Sequence, residues 1–409
     1  MSFWPSATSV SRTARGLAYA RGHIGVAAPG RPPALRLVLG HAVGFSKEAF
    51  APTLIALGRL LEQRRCEATW IALDFSGHGA SREPPLEPSK WNVHHAEEIF
   101  EVLGDEALHE SEVGATLPPP PPLVGFGWSM GGAVLASAEV RRRHTFKHVL
   151  MYEPPLFTRS LAALAKLLGA LDLNVMANSA AKRRRVWPSL ADARCHLLRR
   201  SGKSFAPAAI DAWVEGAGFR PHTGGVDSVA GGVDSVAGAV ELSCDPKYEA
   251  RAYSWPSLLK GPLVLVVPQL LPRQPGAQHT VRPSLFETSL YAAPLNRVGW
   301  PGEALPVLAQ RYGCSDGERL ATEQRCSFTL AVGEASQFSP IVIGGTGPAF
   351  YRHFLARHLP GPLPRVVSFG KAATHLAPME QPELVAEGIA ADLEARGLLP
   401  GVVGSVEPA

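Results

Sequence analysis

Disulfide chemistry has little to work with in this chain. Its 409 residues hold five cysteines, Cys66, Cys195, Cys244, Cys314 and Cys326, an odd number spread too widely for a disulfide framework or a zinc site. A reducing, cytoplasmic compartment is therefore the expected setting, with no metal or other cofactor. No uninterrupted apolar run approaches the roughly 20 residues that a membrane-spanning helix requires, which predicts no such span. The basic clusters 141–143, 182–185 and 199–200 lack the interleaved aromatics on which bases stack, so they read as solvated helix faces and argue against nucleic acid as a partner. Acidic residues are missing from the first 47 positions, where Arg12, Arg15, Arg21, Arg31 and Arg36 occur. That composition fits a disordered tail over 1–34 and is also shared by mitochondrial transit peptides, and both readings stay open.

What is present is an ordinary globular composition, 46% hydrophobic and 19% charged with a net charge of +4. The length suits one domain of roughly 250 residues carrying insertions. Short apolar runs rich in β-formers, Leu35–Gly40 and Ala68–Asp74, read as buried parallel strands. Helical spacing of apolar residues over Lys47–Arg64 and Trp91–Leu103 falls after each, so strand and helix alternate. A strand over Lys147–Tyr152 continues the pattern. From 156 to 255 the alternation stops, and helices are predicted at Leu161–Leu171, Trp187–Arg199 and Pro207–Gly216, which suits a cap over a site. Within this region Gly224–Ala230 is repeated unchanged as Gly231–Ala237, too short for a solenoid and read as a duplicated loop. Residues 256–325 have little periodicity and read as an insertion. Strands at Ser327–Val332 and Arg365–Phe369 and helices at Pro348–His358 and Pro382–Ala395 then resume the sheet.

The chemistry concentrates in P-L-V-G-F-G-W-S-M-G-G-A, residues 122–133. An apolar run leads into Gly127-Trp128-Ser129-Met130-Gly131, and small residues open a helix over Met130–Arg142. This is the pattern of a nucleophile elbow. So sharp a turn strains the serine backbone and brings neighbouring chain too close for a Cβ two positions either side. It leaves the Ser129 hydroxyl at a helix N-terminus, where the Met130 N–H and the positive end of the dipole can stabilise an oxyanion.

Together with His41-Ala42-Val43-Gly44-Phe45 after the first strand and Asp74-Phe75-Ser76-Gly77-His78-Gly79-Ala80-Ser81 after the second, the elbow resembles the α/β-hydrolase superfamily, over two blocks, 35–155 and 326–396. The phrases H-A-V-G-F, S-M-G-G, M-Y-E-P-P and L-S-C-D-P-K-Y-E-A (242–250) are similar to a group of uncharacterised microbial and fungal hydrolases with a helical cap. The resemblance implies a mostly parallel sheet with helices on both faces. It also implies that Val43 supplies a second oxyanion N–H and that His78 is architectural. Ala42 replaces the usual glycine, and Trp128 replaces the histidine of many relatives, a change expected to alter packing only.

The chain order of the fold points to His375, on a loop after the last buried strand, as general base. The acid has two candidates. Many relatives place an Asp after the penultimate strand, where this chain has Gly333-Glu334-Ala335-Ser336; others, haloalkane dehalogenases among them, use the end of the strand after the nucleophile, where Glu153 stands. Glu153 is preferred and Glu334 is the runner-up. Serine at the elbow excludes the alkyl-ester chemistry of Asp-nucleophile relatives and leaves acyl transfer. The expected activity is hydrolysis of a small-molecule carboxylic ester with a hydrophobic group. A thioesterase or amidase, an acyltransferase, and a catalytically silent receptor of the same fold are the alternatives, and the oligomeric state is not legible.

Overall fold

The computed structural model describes residues 3–6, 8–26, 31–82, 91–112, 121–155, 175–201, 204–222, 238–253, 326–336, 347–358 and 364–401. Eleven strands are described, eight of them in one sheet: β1 (Ser9–Arg12), β2 (Ala18–Gly25), β3 (Leu35–Gly40), β4 (Glu67–Leu73), β5 (Leu123–Trp128), β6 (His148–Tyr152), β10 (Ser327–Val332) and β11 (Arg365–Ser368). Their spatial order is β1-β2-β4-β3-β5-β6-β10-β11. All neighbours from β4 to β11 run parallel, while β1 with β2 and β2 with β4 are antiparallel.

Side-chain alternation on the strands divides the interior into two cores. On β3, Leu35, Leu37 and Leu39 face one core, and Val38 faces the other; on β4, Ala68, Trp70 and Ala72 oppose Ile71 and Leu73 in the same way. The first core is closed by α1 (Ala51–Gln63), through Leu54, Leu57 and Leu61, and by the helix Pro382–Ala395, through Val385, Ile389 and Leu393. The second is closed by α2 (Trp91–Glu112), through Ile99 and Val102, and α3 (Met130–Arg141), through Val134, Leu135 and Ala138. Helices therefore cover both faces, and a sheet buried on both faces explains why its strands read as continuous apolar runs.

Three expectations need correction or refinement. Part of the 1–34 segment, expected as a tail, forms β1 and β2, with Trp4 stacked on Trp70 at 5.3 Å between ring centroids. The region expected to be mostly helical also carries a three-stranded antiparallel sheet, β7 (Val186–Trp187), β9 (Val240–Leu242) and β8 (Phe219–Pro221), in that order. The helix expected from Trp187 starts instead at Leu190, because Ser189 caps it: the Asp192 amide donates to Ser189 Oγ at 3.1 Å. The expected helix 161–171, the duplicated loop 224–237 and the insertion 256–325 lie outside the described residues.

The junction of β3, β5 and α3 is tight. A Cβ on Gly131 would lie 1.9 Å from the Gly40 carbonyl oxygen, and one on Gly127 would lie 2.3 Å from the Gly132 nitrogen. Gly131→Ala should therefore destabilise the protein by about 3 kcal/mol or prevent folding, in line with severe overpacking. Urea unfolding measures this; an alanine variant with wild-type midpoint would refute the close approach.

Candidate active site

The parallel strands β3, β5, β6 and β10 bring four loops together at their C-terminal ends. Ser129, directly after β5, has φ +52° and ψ −117°, outside the regions an L-residue prefers, and its N–H donates to the Tyr152 carbonyl at 2.8 Å. Glu153, directly after the neighbouring β6, is also left-handed at φ +45° and is buried. Each such residue costs on the order of 1–3 kcal/mol, and strain of this kind gathers at functional sites. Here the two strained residues lie side by side on adjacent strands.

Glu153 is held by three donors. Its Oε1 accepts the Gly333 N–H at 2.9 Å, and its Oε2 accepts the Ser336 hydroxyl at 2.6 Å and lies 2.9 Å from His375 Nδ1. Gly333 and Ser336 belong to the turn after β10, so that turn supplies donors to the carboxylate. Glu334, the other carboxylate of that turn, faces away: it is exposed and accepts from Ser368 Oγ at 2.7 Å. The loop carrying His375 is tied to the same turn, since the Ala335 N–H donates to the Ala373 carbonyl at 3.0 Å. Tyr152 Oη donates to the Thr374 carbonyl, next to His375. Burial pushes the Tyr152 phenol far above its ordinary value, with the neighbouring Glu153 and Glu380 carboxylates adding to the effect, so it remains a donor.

Trp128 has a contact that local sequence patterning missed. Its indole N–H donates to the His375 carbonyl oxygen at 2.8 Å, and its ring lies 4.6 Å from that of Phe45. Phe45 also lies 5.2 Å from Trp213 and 6.5 Å from Phe205, so aromatic rings gather beside the elbow. The signal was present only as the replacement of a smaller ring by a tryptophan, and its partner is 247 residues away.

The loop carrying Val43 is pinned at three points. His41 donates from Nδ1 to the Ala42 carbonyl at 2.8 Å and accepts the Phe75 N–H at Nε2 at 3.2 Å. Gly44, at φ +82°, lies against the buried Glu249 carboxylate, whose carbon would be 3.0 Å from a Cβ at that position. Arg183 holds Glu249 from the other side at 2.7 Å. At the end of the loop, Lys47 donates from its backbone N–H to Asp74 Oδ1 and from Nζ to Asp74 Oδ2, both at 2.7 Å. Burial opposes the charge on Lys47, but Asp74 and Glu48 outweigh it and hold the ammonium above its ordinary pKa. Val43 and Met130 are both buried, and their backbone N–H groups have no acceptor among the described residues. His78 is buried in the turn after β4, its Nδ1 3.3 Å from the Ser76 carbonyl.

Among the described residues no cluster of His, Cys, Asp or Glu could hold a metal ion, and no helix is long and apolar enough to cross a membrane.

A mostly parallel sheet, helices on both faces and a strained serine at a strand-to-helix turn together are the α/β-hydrolase fold, and this chain has it. No protein-family model matches the sequence, and no curated protein matches it. Solved structures do match. A peroxisomal α/β-hydrolase from Saccharomyces cerevisiae is 14% identical, with 98% of this chain and 91% of that chain covered and a TM-score of 0.52. The thioesterase domain from the curacin biosynthetic pathway is 14% identical, with coverages of 94% and 98% and a TM-score of 0.51. E-2-(acetamidomethylene)succinate hydrolase is 15% identical, with coverages of 95% and 99% and a TM-score of 0.51.

Two buried histidines make the stability of this assembly sensitive to acid. Burial lowers His41 to about 4, and burial with the nearby His41 and His95 lowers His78 well below the ordinary histidine value. Both are neutral when folded and take up protons on unfolding. Their contribution is therefore full above about pH 6.5 and is lost as pH falls toward 4, amounting for His41 to about 3 kcal/mol. Urea unfolding at a series of pH values should show this slope, and His41→Gln should remove part of it; a flat profile between pH 6.5 and 4 would contradict the assignment.

Proposed function

We propose that the protein is a serine hydrolase that cleaves a carboxylic ester through an acyl-enzyme. One observation carries this reading: the 2.9 Å contact of Glu153 with His375, set on strands whose adjacent ends hold Glu153 and the strained Ser129. In the proposed reaction Ser129 Oγ attacks the ester carbonyl carbon while His375 Nε2 takes the hydroxyl proton. Glu153 at Nδ1 keeps the imidazole in the tautomer that leaves Nε2 free to accept, and it stabilises the imidazolium that forms. The carbonyl oxygen becomes an oxyanion that accepts from the Val43 and Met130 N–H groups, two donors otherwise without an acceptor among the described residues. Collapse of the tetrahedral adduct breaks the bond to the leaving alkoxide, which receives the proton from His375. Water then repeats the sequence, with His375 as base, and releases the carboxylic acid.

The aromatic group of Phe45, Phe205 and Trp213 beside the elbow supports a hydrophobic acyl or alkyl group. The named neighbours include a thioesterase domain, consistent with acyl transfer to water. A thioester differs from an oxoester only in its leaving group, so the same machinery serves either.

Labelling with a fluorophosphonate tests the nucleophile: the wild-type protein should label stoichiometrically at Ser129 and Ser129→Ala not at all. Glu153→Gln should lower kcat by about 10⁴-fold, the scale on which a triad acid acts, with little change in KM. Glu334→Gln should stay within twofold of wild type, because that side chain is exposed and, among the described residues, accepts only from Ser368. Steady-state kinetics on oxoesters and thioesters of graded chain length checks all three. A Glu334 variant that loses turnover while the Glu153 variant keeps it would reverse the acid assignment.

A further inference from the structure

We infer that Trp128 is a positioning residue that sets the place of His375 and of the oxyanion loop together. This inference rests on the proposed hydrolase reading. Its indole N–H donates to the backbone carbonyl of His375 itself at 2.8 Å, and its ring lies 6.4 Å from the imidazole. Its opposite contact is Phe45, 4.6 Å away between ring centroids and two residues beyond Val43. The side chain is completely buried at the end of β5, one residue before Ser129. A single rigid bicycle therefore touches the base on one side and the loop bearing the Val43 amide on the other, and the chain that carries it runs straight into the nucleophile.

The base loop needs such a tie. His375 follows a stretch in which Lys371 and Ala372 are exposed, and the residue itself is only half-buried. Tyr152 holds the loop one residue upstream, at the Thr374 carbonyl. The Nδ1 contact with Glu153 fixes the rotation of the ring. Trp128 fixes the backbone from which the ring hangs. With ring rotation and backbone both held, the imidazole keeps one orientation, with Nδ1 on Glu153 and Nε2 left for the proton of Ser129 in the proposed reaction. A neutral donor such as an indole suits this position, since a second charge beside the imidazolium would alter its proton affinity as well as its place.

The test separates the hydrogen bond from the packing. Trp128→Phe removes the N–H and part of the ring, whereas replacing Trp128 with β-(3-benzothienyl)alanine removes only the N–H and keeps the bicycle, so it remains informative if the Phe variant does not fold. Either variant should lower kcat by about 10- to 100-fold with KM changed less than twofold, the scale expected when a reacting group is displaced by a fraction of an ångström to an ångström. The proton NMR resonance of His375 Nδ1–H in its bond to Glu153 should broaden into exchange with water while the thermal midpoint stays within a few degrees. Wild-type kcat and a retained Nδ1 proton resonance in the benzothienyl variant would overturn the inference. So would losses in kcat and thermal stability that occur with the resonance unchanged, which would make Trp128 a packing residue only. Should the wild-type protein take no fluorophosphonate label, the hydrolase reading falls, and the resonance alone still decides whether Trp128 positions His375.

Discussion

The closeness of two backbones, Gly40 at the end of β3 and Gly131 in the first turn of α3, is the constraint on which the rest of the site depends. With the Gly40 carbonyl only 1.9 Å from where a Cβ on residue 131 would stand, α3 lies flush against the strand that launches the loop carrying Val43. That contact sets the helix that opens at Met130 beside the strand that leads into Val43. It also forces Ser129 into its left-handed conformation, because the chain must turn from β5 into α3 within one residue. Strain at Ser129 is thus a consequence of packing elsewhere and is held by the burial of both glycines. Glu153 shows the same logic on the neighbouring strand, its positive φ compensated by two donors from the β10 turn.

Around this junction the site is assembled from pieces that each need a distant partner. The loop carrying Val43 is held by Phe75 at His41 and Asp74 at Lys47, both from the turn after β4, and by Glu249 at Gly44 from a separate segment. The Lys47 and Asp74 side chains are buried, and breaking such a pair leaves an uncompensated charge, a loss of about 3–5 kcal/mol. The loop's shape is therefore coupled to the region between residues 183 and 250 through Arg183 and Glu249.

Much of this was legible from the chain alone, for reasons that differ by element. Leu35–Gly40, Ser327–Val332 and Pro382–Ala395 were read with their observed bounds because each is an apolar run or helical face ended by a residue that punctuates structure. The elbow was legible because its glycines have no other economical explanation. Strands β7, β8 and β9 were not, since two or three residues carry no alternation. β2 hid behind its arginine, glycine and histidine, which blur the alternation of A-Y-A-R-G-H-I-G. For the carboxylate partner of His375 the sequence favours Glu153, with Glu334 as runner-up. The two are distinguished by direction: Glu334 sits one residue after Gly333, whose N–H bonds Glu153, and points outward to Ser368. Trp128 was read as packing alone, because no local pattern reports a hydrogen bond across 247 residues.

The antiparallel β2 pairs with β4 over seven residues, from Tyr19 with Leu73 to Gly25 with Glu67. Without it, β4 would be the outermost strand of a parallel sheet, with a full row of N–H and C=O groups open to any other chain. β1 then ends the sheet with only four residues, mostly exposed and closing on Arg12, a poor template for further pairing. The arginine-rich stretch that reads as a tail or transit segment thus covers the edge of β4. A chain trimmed to begin at β3 would retain every residue of the candidate site and would be prone to aggregate.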